Sequence, residues 1–156
     1  MPYQLAQVNI ARMRHPLHDR RMQGIAQRVE EMNALAEQTP GFIWRLPGSE
    51  ASEQALRVFE KTFVPFDPAL LFYNLSVWET PEHLKNYAYK TTHIEMLRSK
   101  ELWMVAMRSA HLALWWIPAG HLPSIAESAE RLDALDRDAP SAIAFNFQTV
   151  FAPPAE

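Results

Sequence analysis

Apolar residues recur with two different periods along the chain, and the switches between them mark out the elements. Over residues 4–12, Ala6, Val8 and Ile10 alternate with Gln7 and Asn9, the period of two of a half-buried strand. From Asp19 the period lengthens: Met22, Ile25, Val29, Met32 and Leu35 or Ala36 lie three or four apart, which predicts a helix to about residue 38. Thr39-Pro40-Gly41 ends it, because proline cannot continue a helix and glycine relieves the exit. FIWRL (42–46) predicts a second strand, and 47–68 a long connection with a helical or irregular piece around 56–63. A third strand is expected over 70–79. Thr80 and Pro81 suit the N-cap and first position of a helix, whose pattern continues, with a break near 90–92, to about residue 108. HLALWWI (111–117) predicts a fourth strand, Ser124 and Glu127 the capping box of a short helix, and the alternating AFNFQTVF (144–151) a last strand.

The order is therefore β-α-β-β-α-β with one extra helix-strand pair, in a single domain spanning 1–156. A split β-α-β of this kind gives an α+β, ferredoxin-like fold: an antiparallel sheet with helices on one face. The two faces differ. On the third strand Leu71, Tyr73, Leu75 and Val77 form an apolar set, while Phe72, Asn74, Ser76 and Trp78 form a mixed one. Gln7 and Asn9 oppose Val8 and Ile10, and Asn146 and Gln148 oppose Phe145, Phe147 and Phe151. One face reads as helix-packing core and the other as lined with amides and aromatics. Antiparallel sheets can face water on one side, but Trp44, Phe72, Trp78 and one of Trp115 or Trp116 make a large apolar patch for that. Coverage by a second copy is the expectation, as a homodimeric α/β barrel enclosing a pocket for a small hydrophobic or aromatic ligand.

Composition narrows the function classes. The net charge of −3, with no basic stripe, argues against a nucleic-acid partner. The absence of cysteine removes disulfides, thiolate metal sites and thiol nucleophiles, and suits a cytoplasmic protein. The start of the chain reads directly as a strand, so no targeting segment is expected, and LALWWI is too short to span a bilayer. With only 4 glycines, phosphate-binding loops are absent. No H-x-x-x-H or H-E-x-x-H pair is present, and His15, His18, His83 and His121 fall at turns or helix starts, so no protein-ligated metal is expected.

NLSVWETPEHL followed by AYKTTH resembles the antibiotic-biosynthesis-monooxygenase-like branch of the dimeric α/β-barrel superfamily. More closely, LAQVNIARM, PGFIWRL, NLSVWET, LWWIPAGHLPS and AFNFQTVF together resemble the bacterial family known as domain of unknown function 3291. That resemblance implies the fold and a homodimer, and no established reaction. The broader branch implies an oxygenase-like enzyme without a cofactor, whose N-x-x-x-W pair surrounds an aromatic substrate; Asn74 and Trp78 match the spacing. Remoter branches bind haem through a histidine on the following helix, a position that His93 resembles.

On a helix at about 100° per residue, Tyr89, His93, Met96, Leu97, Lys100, Met104 and Met107 fall on one face, with Tyr87 peripheral. His93 then acts as a general base, or as a haem ligand in the alternative reading. Its bland alternative is a buried neutral histidine. Asn74 is the second catalytic candidate, its amide donating to a carbonyl or developing oxyanion; otherwise it bonds across to Asn9 or Asn146. Asn9, Trp44, Arg45, Trp78 and Tyr89 are the expected substrate-binding residues, with Glu60 or Glu79 as competing partners for Arg45. An enzyme on an aromatic or polyene metabolite is the leading reading. A haem protein and a non-catalytic dimeric binding module are the alternatives.

Overall fold

The computed structural model describes residues 2–47, 67–90, 104–105 and 111–155. Its elements are β1 (Tyr3–Met13), α1 (Gln23–Gln38), β2 (Phe42–Arg45), β3 (Leu71–Trp78), α2 (Pro81–Tyr89), β4 (Met104–Val105), β5 (Leu112–Pro118) and α3 (Ile125–Asp138). β1 is the central strand. It pairs antiparallel with β3 along one edge, and on the other with β5 (residues 3–9) and β4 (residues 12–13), which follow one another end to end. β2 pairs with the outer side of β3. The order β2-β3-β1-β5, all antiparallel, is the split β-α-β sheet, and the fold is α+β and ferredoxin-like.

The alternation along each strand sorts the side chains onto two faces. Ala6, Val8, Leu75, Val77, Ala113, Trp115 and Ile117 pack beneath α3 through Ile125, Ala129, Leu132 and Leu135. All four are buried, and Ile125, Leu132 and Leu135 contribute roughly 2 kcal/mol apiece against about 1 kcal/mol for a good cap. Packing therefore holds α3 more than its capping does. The cap is nonetheless made: Ser124 accepts from the Glu127 N–H at 3.0 Å, while the Glu127 carboxylate accepts from the Trp115 indole N–H at 2.8 Å and lies 2.8 Å from His121. Leu5, Trp78 and Leu114 occupy the opposite face, under Ala36 of α1 and Leu84 of α2. The two crossover helices share one face, as a split β-α-β expects, and the extra C-terminal helix takes the other.

Two segments depart from the sequence expectation. Residues 144–151 form no strand: Phe145 exchanges both backbone hydrogen bonds with Leu114 at 2.8 Å, and pairing stops there. Asn146 explains the stop, because its side-chain oxygen accepts from the N–H groups of both Gln148 and Thr149 at 3.0 Å and turns the chain. The helix from Pro81 ends at Tyr89 with Lys90 extended, where a break was expected, but Met104–Val105 is a strand against Arg12 and Met13 rather than part of a helix reaching residue 108.

Gly41 links α1 to β2 at φ +89, and its carbonyl accepts from the Glu79 N–H at 2.8 Å. A Cβ there would collide with the His83 ring at the start of α2. Gly41→Ala is expected to cost about 2 kcal/mol or more, from the left-handed backbone and the clash together. Urea denaturation measures it, and a cost under half of that would show that α2 yields to admit the methyl.

Candidate functional site

A cavity of about 820 Å³ lies between the sheet and the α1–α2 layer. Its floor is the mixed face. Along β1 it runs Gln7, Asn9, Ala11, and the register sets these beside Ser76, Asn74 and Phe72 of β3. The face that the sequence argument assigned to coverage by a second copy is thus roofed by the chain's own α1 and α2.

The polar centre of the floor is one connected unit. The Gln7 side-chain nitrogen donates to Asn74 Oδ1 at 2.6 Å and to Ser76 Oγ at 2.8 Å. Trp78 Nε1, which can only donate, gives a second hydrogen bond to Ser76 Oγ at 2.9 Å. Gln7 is 4% exposed, so its amide is anchored, and it holds the Asn74 oxygen turned towards itself. The Asn74 amide protons and the Ser76 hydroxyl proton then have no partner among the described residues. The floor presents hydrogen-bond donors to a half-open cavity with largely apolar walls, where a ligand acceptor that excludes water is favoured.

Trp78 closes one end. It is 1% exposed, edge-on to Phe42 (centroids 5.4 Å apart, 83° between planes) and stacked on Tyr87 (5.3 Å, 29°). Both arrangements are favourable for aromatic pairs. Trp78 is accordingly an end wall, anchored on its ring faces, rather than a free platform for a flat ligand. Tyr87 donates to the Met32 carbonyl at 3.0 Å and ties α2 to α1 over the cavity.

The phase of α2 corrects the ordering of the tyrosines. Pro81 and Leu84 are its buried residues, and Tyr87, one turn beyond Leu84, points inward with them. Tyr89 is 64% exposed at the cavity rim, with the Lys85 ammonium 5.9 Å from its ring centre. The helix stops at Tyr89 and Met104 lies in a strand, so these two do not share one helical face. His93, and with it Met96, Lys100 and Met107, lies outside the described residues, as does Glu60.

Trp44 is also repositioned. The β2–β3 register shifts between Phe42, opposite Trp78, and Trp44, opposite Val77. This bulge places Trp44 against the core beneath α3, on the face away from the cavity. Arg45, opposite Ser76, returns to the cavity side, but its Nε donates to Glu37 at 2.8 Å. Of the two expected competitors, Glu79 does not hold it, and Glu60 lies outside the described residues. Asn9 lines the cavity beside Asn74, yet the amide that bonds Asn74 is the diagonal neighbour Gln7 rather than Asn9 or Asn146.

Gln7, Ser76, Tyr87 and His111 are among the lining residues that sequence reasoning did not assign to the site. The alternation had put Gln7 and Ser76 on the right face, but only the register joins them. His111 precedes β5 beside Leu112, which pairs with Asn9. Among the described residues, no group of three or more His, Asp or Glu could hold a metal ion, and no helix is long and apolar enough to cross a membrane.

Burial pushes the Tyr87 phenol up to about 12, with the nearby Arg45 charge opposing the rise, and burial raises Tyr73 beneath α3 as well. Both groups are held neutral by the fold. Their stabilisation is full below the unfolded-state value near 10 and is lost as pH rises through the folded value. Alkaline unfolding between about pH 10 and 12 is therefore expected, with Tyr87 responsible for on the order of 2 kcal/mol. In Tyr87→Phe the fall over this range becomes shallower, at a cost near pH 7 of about 1 kcal/mol for the lost hydrogen bond. Denaturation midpoints at stepped pH test it; equal slopes in both proteins would remove Tyr87 from the account.

Among solved structures the chain is similar to NE2512, a protein of unknown function from Nitrosomonas europaea (10% identity, TM-score 0.47, covering 78% of this chain and 96% of that one). It is similar also to SnoaB, a cofactor-independent oxygenase from Streptomyces nogalater (10% identity, TM-score 0.44, covering 78% and 97%). No curated protein matches the sequence. The model of one family, domain of unknown function 3291, matches residues 4–156, and the chain belongs to that family.

Proposed function

We propose that the protein is a small-molecule enzyme with oxygenase-like chemistry, acting on an aromatic or polyene metabolite held between the sheet and the α1–α2 roof. The observation that carries this reading is the donor band at Asn74 and Ser76, oriented by Gln7 and Trp78 inside a cavity of about 820 Å³. That volume suits a ligand of drug-like size. Donors fixed before the ligand arrives favour a phenolic or enolic oxygen as negative charge develops on it. Such an oxyanion makes the conjugated carbon framework electron-rich, the form in which it reacts with molecular oxygen. His111, an exposed residue at the cavity margin ahead of β5, is the described histidine that we assign as acceptor of the phenolic or enolic proton.

The test is oxygen uptake with 1-naphthol and 4-methylphenol as probes, with isotopically labelled oxygen followed into product by mass spectrometry. Uptake above the uncatalysed rate, lost in Asn74→Leu, is expected. One probe bound per chain with no uptake would sink the oxygenase and support a second reading, a non-catalytic binding module. That reading has an observation in its favour: Trp78 is packed on its ring faces and bonded through its indole, as a structural anchor is.

A further inference from the structure

The cavity is chemically two-ended, and the ends lie along a single strand. The donor band occupies the level of Gln7 and Asn9 on β1. Two residues on, Ala11 faces Phe72, and at Met13 the strand reaches Met104 of β4. Met13, Met22 and Met104 are buried together there, with Val29 and Met32 of α1 and Phe72 packed against them. Met32, Met104, Val29 and Phe72 line the cavity itself, while Met13 and Met22 back them. From Asn9 to Met13 is four residues, about 13 Å at the rise of an extended strand. The opposite end is different in kind, because Phe42, Trp78 and Tyr87 form a rigid aromatic wall.

Methionine side chains have three rotatable bonds and a polarisable sulfur, so a wall built from them reshapes around a guest at little cost. Aromatic rings locked by stacking do not. One end of this cavity is thus fixed and polar-headed, and the other is apolar and yielding. We infer that the ligand is two-part: an oxygen-bearing ring seated on the Asn74–Ser76 donors, carrying a linear apolar tail that runs along β1 into the methionine pocket, with tolerance for tail length. This rests on the reading of the cavity as a ligand site and names the class of ligand that it takes.

The experiment is calorimetric titration with 4-alkylphenols, from 4-methylphenol through 4-butylphenol to 4-octylphenol, into the wild-type protein and two variants. Each added methylene is expected to tighten binding roughly threefold, the transfer value for an apolar CH₂ reduced for incomplete burial, at one ligand per chain. Met32→Asp puts a carboxylate on the tail's path, and Val29→Asp does the same one helical turn away. Both are expected to bring 4-octylphenol back to within a few-fold of 4-methylphenol. Met32→Leu is expected to keep the gain. Circular dichroism identifies any variant that fails to fold, in which case the other one decides. Equal affinity for all three phenols in the wild type would overturn the tail pocket while leaving the donor site standing. A chain-length gain that survives both charged variants would place the tail elsewhere and overturn it too. If none of the phenols binds, the ligand site itself fails, and the inference with it.

Discussion

Trp78→Ala is expected to lower the free energy of unfolding by about 4 kcal/mol, among the largest effects of any single substitution in this chain. The ring is 1% exposed and makes three separate kinds of contact: the Phe42 edge, the Tyr87 stack and a 2.9 Å hydrogen bond to Ser76. Alanine removes the ring from between β2 and α2, and the space it leaves opens into the existing cavity, so collapse cannot refill it. Trp78→Phe separates the contributions. It retains most of the packing and loses the indole N–H, and its expected cost is about 1–2 kcal/mol. Chemical denaturation of both variants measures the difference. A cost below about 1 kcal/mol for Trp78→Ala would show that the aromatic end does not hold α2 in place.

Asn74→Leu carries the largest expected effect on activity. Leucine fills nearly the same volume but offers nothing to a ligand oxygen, and removing one preorganised donor of this type typically costs on the order of 10²–10³ in turnover. The loss is expected in kcat rather than KM, because the donor matters most when negative charge has developed. Its stability cost is about 1–2 kcal/mol, since Gln7 loses the acceptor at 2.6 Å and is too buried to replace it with bulk water. The pair Gln7→Leu with Asn74→Leu is expected to be less destabilising than the two single changes added together, because neither amide is then left unpaired. Oxygen uptake with the phenolic probes and a double-mutant denaturation cycle read the two effects separately. Unchanged turnover in Asn74→Leu would remove Asn74 from the chemistry, and strict additivity would mean that the Gln7–Asn74 bond contributes nothing.

The contrast between these two residues bears on the N-x-x-x-W pair. Asn74 and Trp78 share a face because four residues is two full periods of a strand, and both line the cavity. Their roles diverge through their neighbours. Ser76, midway between them, accepts from Trp78 on one side and Gln7 on the other, so the indole is committed to structure while the asparagine keeps its amide protons for the cavity. The spacing alone treats the two residues alike. The hydrogen bonds do not.

What could be read without the structure was local and periodic. Alternation in β1, β3 and β5 identified the strands and sorted Gln7, Asn9, Asn74, Ser76 and Trp78 onto one face, because the side-chain period of a strand is fixed by its backbone geometry. Thr80-Pro81 and Ser124 marked helix starts, because capping depends only on residues within one turn. Tertiary structure decided the rest. A bulge moved Trp44 to the other face, since one inserted residue reverses every orientation beyond it. The end of α2 exchanged Tyr89 for Tyr87, because a helix has no phase past its last turn. The Asn146 side chain captured two backbone N–H groups that a last strand would have needed. Above all, register brought Gln7 to Asn74, 67 positions apart, and α1 and α2 over both. Periodicity tells which way a side chain points, but what it meets depends on which strand lies beside it and by how many residues it is offset.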